Sequence, residues 1–291
     1  MTLPTSMRPV DTHVHFWHPK RLKYSWLRGN AFLDRPYEVQ DYPTQETSPE
    51  PEALVFVECD ADPGQSLEEI NFVEEQSQRD ARVRAFVAHA PLEEGGAVEP
   101  LLERIANSSQ KVRAIRRILQ SLPDPNTLLL NPAFTDGVRL LRKFGLHFEI
   151  TVNHTQMDAV IEFARKLPEI PMVLDHCGKP GIRDGHLAAF QRHAHDLARC
   201  PNVHCKLSGL ATEANHETWT DAQLIPYIDT ALQTFGPDRL LYGSDWPVCL
   251  LATSISRWFG VLERALEGCS QEQLRKIFRE NANALYRLEL K

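Results

Sequence analysis

The chain has 291 residues, of which 42% are hydrophobic and 24% charged, and a formal net charge of −7. Those proportions are ordinary for a globular chain in water, and the length suits one domain over residues 1–291 with a core that needs no disulfide or metal staple. The absence of basic runs excludes an electrostatic footprint for nucleic acid or an anionic membrane, and no apolar run reaches spanning length or forms an N-terminal signal core. Six scattered cysteines (Cys59, Cys177, Cys200, Cys205, Cys249 and Cys269) contain no CxxC pair and predict reduced, buried thiols in a cytoplasmic protein.

In chain order, the first element is a strand over Val10–His15. Residues two apart on a strand share a face, so His13 and His15 are predicted to project together into one cavity. Residues 16–52 are irregular and rich in aromatics, among them Trp17 and Trp26, with recurrent prolines. A connection this long predicts either a binding loop folded over a site or a hydrophobic plug. A rhythm follows. Apolar strands at 53–59, 83–89, 112–120, 147–152, 170–176, 203–207 and 240–245 alternate with helical patterns at 65–79, 97–107, 132–144, 155–167, 185–199 and 221–235. Two more helices are predicted at 254–266 and 271–285. Counting the first, eight strand–helix units predict a single (β/α)8 TIM barrel with a long aromatic-rich loop after strand 1. A doubly wound open sheet is the rival, but it wants a glycine-rich turn after the first strand, where this chain has histidines.

In such a barrel, function gathers at the C-terminal strand ends. There the sequence places His13 and His15, Glu58, His89, Gln120 (with Arg116 and Arg117 upstream), Asn153-His154, Asp175-His176, Lys206 and Asp245. Polar groups at nearly every strand end are costly unless they serve a polar site. Asp245 would face the two histidines if the first and last strands are neighbours. Singly, each has a plainer reading. Arg116 could be an ion-pair partner neutralised by Glu58, His204 a packed residue of the barrel middle, and Cys177 a packed thiol rather than a nucleophile.

Asp11-Thr-His-Val-His-Phe-Trp17, Leu174-Asp-His-Cys-Gly-Lys-Pro180, Cys205-Lys-Leu-Ser-Gly-Leu210 and Tyr242-Gly-Ser-Asp-Trp-Pro-Val248 together resemble the amidohydrolase superfamily. The likeness extends from about residue 9 to residue 288 and is greatest to its sugar-lactonase branch, to which Tyr24-Ser-Trp26 and Ile115-Arg-Arg-Ile-Leu-Gln120 are also similar. The resemblance implies that His13 and His15 are the histidine pair after strand 1, His176 the histidine after strand 6, and Asp245 the aspartate that takes a proton from the attacking water. The chain lacks the bridging lysine or glutamate after strand 4 and the histidine directly after strand 5 that binuclear members carry. The expectation is therefore one Zn2+ or other divalent metal on His13, His15 and Asp245, or catalysis without metal.

The chemistry implied is hydrolysis of a sugar-derived lactone. Asp245 would be the general base, His176, His15 and Lys206 would meet the developing oxyanion, and Glu58, Gln120, Trp17, Trp26 and Arg116 would hold the substrate. Glu58, ending its strand, is expected to reach the pocket ahead of Arg116 and to repel a carboxylated lactone. The alternatives are a hydrolase or decarboxylase acting on a carboxylated lactone, and a barrel that only binds a small ligand. The expected partner is the small-molecule lactone, with no nucleic acid or membrane; a homodimer is compatible with the sequence.

Overall fold

Eight parallel strands run side by side in chain order: β1 Val10–Val14, β2 Ala53–Val57, β3 Val83–His89, β4 Val112–Ile118, β5 His147–Thr151, β6 Met172–Leu174, β7 Val203–Leu207 and β8 Leu240–Tyr242. The computed structural model describes residues 7–43, 49–122 and 125–291. The first and last strands meet through residues just past β8. The Asp245 N–H donates to the His13 carbonyl (2.9 Å) and the His15 N–H to that of Trp246 (2.8 Å). A (β/α)8 barrel results, with its C-terminal rim on the side of the histidine pair.

Helices fill the outer layer: α1 Ser66–Arg79, α2 Glu99–Ser108, α3 Pro125–Leu130, α4 Pro132–Leu140, α5 Met157–Arg165, α6 Leu187–Ala198, α7 Asp221–Phe235, α8 Ile255–Ala265, α9 Gln271–Arg275 and α10 Asn281–Tyr286. Local chemistry accounts for them. In α8, Ile255, Trp258, Phe259 and Leu262 recur at helical spacing and are buried, and the Ser254 hydroxyl caps the helix by accepting from the Arg257 N–H (3.1 Å). Thr220 and Gln223 form a reciprocal capping box at the start of α7. The helix α3 was not foreseen, and the pattern over 271–285 is divided by a π-helical turn, Lys276–Glu280.

Inside the barrel the N-terminal layers are apolar and small: Val10, Ala53, Val55, Ala85, Val87, Ala114, Val173 and Leu241 pack with Tyr286 and Leu288 from the C-terminal segment. The register of β1 against β2 is irregular between Asp11 and Val14. Val10 packs in the interior cluster, and so do His13 and His15 in their own layer, although simple alternation puts Val10 on the other face. The irregularity turns the histidines inward, as a bulge does.

The loop after β1 is mainly a plug, with one side chain on the site. Trp17 and Tyr37 bridge through paired backbone hydrogen bonds (2.8 and 2.9 Å), and Tyr37 and Tyr42 pack edge-on against Trp246. Phe16, Trp17, Tyr24, Tyr37 and Tyr42 are buried. Burying each such ring is worth roughly 1.5–3 kcal/mol, enough to hold a loop with little regular structure. Residues 44–48 of the predicted loop lie outside the described residues.

Candidate active site

A column of polar side chains rises through the upper half of the barrel, contributed by inward positions of the strands. Glu149 on β5 and Lys206 on β7 meet at 2.6 Å; the Lys206 ammonium also lies 3.1 Å from Asp175 Oδ1 and 3.3 Å from His13 Nδ1. The Tyr286 hydroxyl, coming from below, donates to the other Glu149 oxygen. Beside them Arg116 on β4 donates Nε to Glu58 Oε1 (2.7 Å) and Nη2 to the Glu58 carbonyl, and reaches Asp175 Oδ2 at 3.5 Å. Asp175 also accepts from the Thr151 hydroxyl (2.7 Å). All these carboxylates are buried. Burial alone would raise Asp175 and Glu58, but Lys206 and His13 hold Asp175 well below the usual carboxylate range, and Arg116 holds Glu58 below it.

Above the column, Asp245 Oδ1 lies 3.4 Å from His15 Nε2, 3.7 Å from His13 Nε2 and 4.0 Å from His176 Nε2. Burial works against the ionised Asp245, yet His176, the His15 contact and His13 outweigh it and keep its carboxyl far below the usual range. Burial drives His176 down to about 4 and His13 well below the ordinary histidine value, with Lys206 adding to the effect on His13. His176 is therefore a neutral imidazole at neutral pH. Its Nδ1 lies 2.8 Å from the Ser208 hydroxyl. Two glycines make room for this packing. A Cβ on Gly243 would sit 2.9 Å from that of His13, and one on Gly209 (φ +63) would sit 2.5 Å from His176 Nδ1.

The donor set fits a divalent cation. His15 Nδ1 lies 2.8 Å from the Val57 carbonyl oxygen, a contact only a ring N–H can satisfy. With Nδ1 so engaged, His15 turns Nε2 toward an Asp245 carboxylate oxygen 3.4 Å away. His13, His15 and Asp245 offer three ligand atoms within 4.8 Å of one another. The charges beneath agree: among the described residues, three buried carboxylates (Glu58, Glu149 and Asp175) share two cations, Arg116 and Lys206.

His15, His176 and Asp245 open onto a cavity of about 270 Å³, whose walls include Trp26, Asp60, Arg116, Gln120 and Lys179. The structure thus joins seven of the residues expected from sequence in one place, counting His13 just beneath. It removes three others. Lys206 is fully buried below His13 and does not line the cavity, because its ammonium is held by Glu149 and Asp175. Glu58 also lies under the floor, with Oε1 taken by Arg116 and Oε2 by the Asp60 N–H (2.7 Å), so the expected order is reversed: the arginine reaches the pocket and the glutamate does not. Trp17 is buried in the loop plug, its indole N–H shared between the carbonyls of Leu33 and Arg35. Cys177 packs against Cys205 (Sγ–Sγ 3.6 Å) and donates to the Lys206 carbonyl, so it is a packed thiol. All six cysteines are free and buried.

Sequence reasoning passed over Asp60, Thr151, Glu149 and Tyr286. Glu149 and Thr151 were findable, since they alternate on β5 with the inward His147. Asp60 follows Glu58 by two residues in a run of acidic side chains that gives no hint which one turns inward. The strand ends were also overextended. β6 stops at Leu174 and β8 at Tyr242, and the backbone then turns sharply, with positive φ at His176, Cys177, Lys179 and Asp245.

Comparison with known proteins follows the same lines. The amidohydrolase family matches residues 10–288. An L-fucono-1,5-lactonase of Burkholderia multivorans is 32% identical over 269 residues, covering 89% of this chain and 88% of its own. An L-rhamnono-gamma-lactonase of Scheffersomyces stipitis is 24% identical over 96% of this chain and 98% of its own. Among solved structures, an amidohydrolase from Burkholderia multivorans with bound zinc superimposes with a TM-score of 0.86 at 30% identity, over 97% of this chain and 99% of that one. No helix among the described residues is long and apolar enough to cross a membrane.

Proposed function

Because the chain belongs to the amidohydrolase family, we propose that it opens the ring of a sugar-derived lactone by hydrolysis, with Asp245 as the general base. The observation that carries this reading is the position of the Asp245 carboxylate, which opens onto the cavity at the mouth of the barrel with Oδ1 within 4.0 Å of the imidazoles of His13, His15 and His176. The lactonase names of two relatives that match most of this chain support the same chemistry.

The Asp245 carboxylate accepts a proton from water as its oxygen attacks the lactone carbonyl. The same proton passes to the ring oxygen when the C–O bond breaks, so water and lactone become one hydroxy acid. The oxyanion formed between these steps needs donors. His176 supplies one. In the tautomer whose Nδ1 accepts from the Ser208 hydroxyl, 2.8 Å away, the ring proton sits on Nε2, on the side of Asp245. Arg116, whose guanidinium lines the cavity, supplies a second. His13, His15 and Asp245 would hold one zinc ion, of the kind bound in the similar amidohydrolase; when bound, it polarises a carbonyl or makes a water more acidic. Gln120 and Trp26 contact the substrate ring. The setting we propose is cytoplasmic sugar catabolism, in keeping with the six free thiols.

The test is base uptake in a pH-stat on a panel of aldonolactones. Wild type should open at least one of them. The isosteric Asp245→Asn variant should lose about 10²–10⁴ in kcat, the range for removing a general base. Undiminished turnover in Asp245→Asn would remove the proposed base, and an inert wild type would remove the lactonase.

A further inference from the structure

Among the described residues, one acidic side chain besides Asp245 lies on the cavity wall, that of Asp60. Among the described residues its carboxylate has no hydrogen-bond or ion-pair partner. Its backbone is left-handed, with φ at 54°. Seven described non-glycine residues share positive φ, and four of them (Asp60, His176, Lys179 and Asp245) line this cavity. Uncommon backbone conformations persist where surroundings over-determine them, and they gather at functional sites. The conformation that presents His176 and Asp245 to the cavity presents Asp60 as well.

The surroundings hold Asp60 from two sides. From beneath, Glu58 Oε2 accepts its N–H at 2.7 Å, and Glu58 is itself fixed by Arg116. From the flank, the loop after β1 is zipped to the segment carrying Asp60. The Trp26 indole N–H donates to the Cys59 carbonyl (2.7 Å), the Ser25 N–H to Asp62 Oδ1 (3.0 Å), and the Asp62 N–H to the Lys23 carbonyl (2.8 Å). The Trp26 indole is thereby pinned next to Asp60 and remains 38% exposed. Gln120 adds a third feature: its Oε1 is buried at the same cavity with no hydrogen-bond partner among the described residues.

An aromatic face, a free carboxylate and an unpartnered amide oxygen define what the wall accepts. The two oxygens are acceptors and need donors, which ring hydroxyls supply. The aromatic face suits the C–H side of a saturated ring. We infer that Asp60, Gln120 and Trp26 form a hydroxyl-recognising wall, and that Asp60 determines specificity for polyhydroxylated rings over bare ones. The wall would serve the lactonase proposed above, selecting its substrate class.

The test uses binding, so that it stands apart from turnover. Aldonolactams, with N–H in place of the ring oxygen, are compared with unsubstituted δ-valerolactam by titration calorimetry on the full chain. Wild type should prefer the hydroxylated lactam by roughly 10- to 100-fold, the range for hydrogen bonds to a charged group. Asp60→Gly suits the positive φ and removes only the carboxylate; it should erase most of that preference and leave δ-valerolactam binding unchanged. Asp60→Asn, which keeps an acceptor, should fall between, and Gln120→Met should lose part of the preference independently. A preference that survives Asp60→Gly, equal weakening of both lactams, or a wild type that binds both alike would overturn the assignment. Ring opening of δ-valerolactone and aldonolactones by wild type is followed alongside. If no lactone is opened, the hydrolase reading fails, while the lactam ratio still decides the wall.

Discussion

Lys206→Met separates two roles for one residue. As an electrophile, Lys206 would be needed for turnover and dispensable for folding. Its geometry says otherwise: the ammonium is fully buried, 2.6 Å from Glu149 and 3.1 Å from Asp175, and beneath the cavity rather than in it. Methionine fills a similar volume but leaves buried Glu149 without its cation and Asp175 with only the more distant Arg116 (3.5 Å). Breaking a buried pair in this way costs about 3–5 kcal/mol. For a chain of this size that corresponds to a fall in Tm of roughly 6–15 °C. The assay is thermal unfolding by circular dichroism, with urea denaturation as a check. A second substitution, Glu149→Gln, removes one orphaned charge, so Lys206→Met/Glu149→Gln should be more stable than Lys206→Met alone. The effect of pH has a definite sign. In wild type the Asp175 pKa is depressed, burial being outweighed first by Lys206 and then by His13, so its contribution is present above the unfolded value of about 4 and is lost as pH falls through the folded one. In the variant Asp175 loses the first of these two influences and protonates more readily. The stability gap should therefore be widest at neutral pH and narrow toward acid. A Lys206→Met protein that unfolds within about 2 °C of wild type but has lost turnover would refute the reasoning and restore Lys206 as an electrophile.

Exhaustive chelation, with metal content measured on the same sample, should remove about one divalent ion per chain, the number a single His–His–Asp set holds, and lower both activity and Tm; full activity in metal-free protein would make the histidine pair a polar scaffold only. His176→Asn should reduce kcat by about 10²–10³ with a smaller change in KM, as expected for losing an oxyanion donor; a change confined to KM would instead make His176 a substrate-binding residue. Tyr286→Phe deletes the hydroxyl that donates to Glu149 from below and should cost about 1.5–3 kcal/mol in urea denaturation; a value near zero would mean the C-terminal plug holds by packing alone.

Local pattern was enough to determine the barrel, its order and the place of its rim. The apolar runs, the helical spacings and the caps act over a few residues, and those interactions are the same in any context. The histidine pair and Asp245 were legible for a related reason: strand alternation and the adjacency of first and last strands are properties of the barrel as such. Even there the agreement hid a detail, since the irregularity in β1 is what turns His13 inward. Which polar groups reach solvent, and which are spent on one another, was decided only by tertiary contacts. Glu58 and Arg116 lie 58 residues apart, and their pairing lowers the glutamate below the floor and sets Asp60 in its place on the wall. Trp17 and Trp26 look alike in a loop without periodicity, yet the strand-like bridge with Tyr37 buries one while a bond to the Cys59 carbonyl sets the other at the cavity. Lys206 ends its strand as a catalytic lysine would, but Glu149 and Tyr286, 137 residues apart, had already been brought together beneath it. Charge and hydrogen bonding act through space, and a buried ion takes whatever partner the fold places within reach. Only the closed barrel determined those partners.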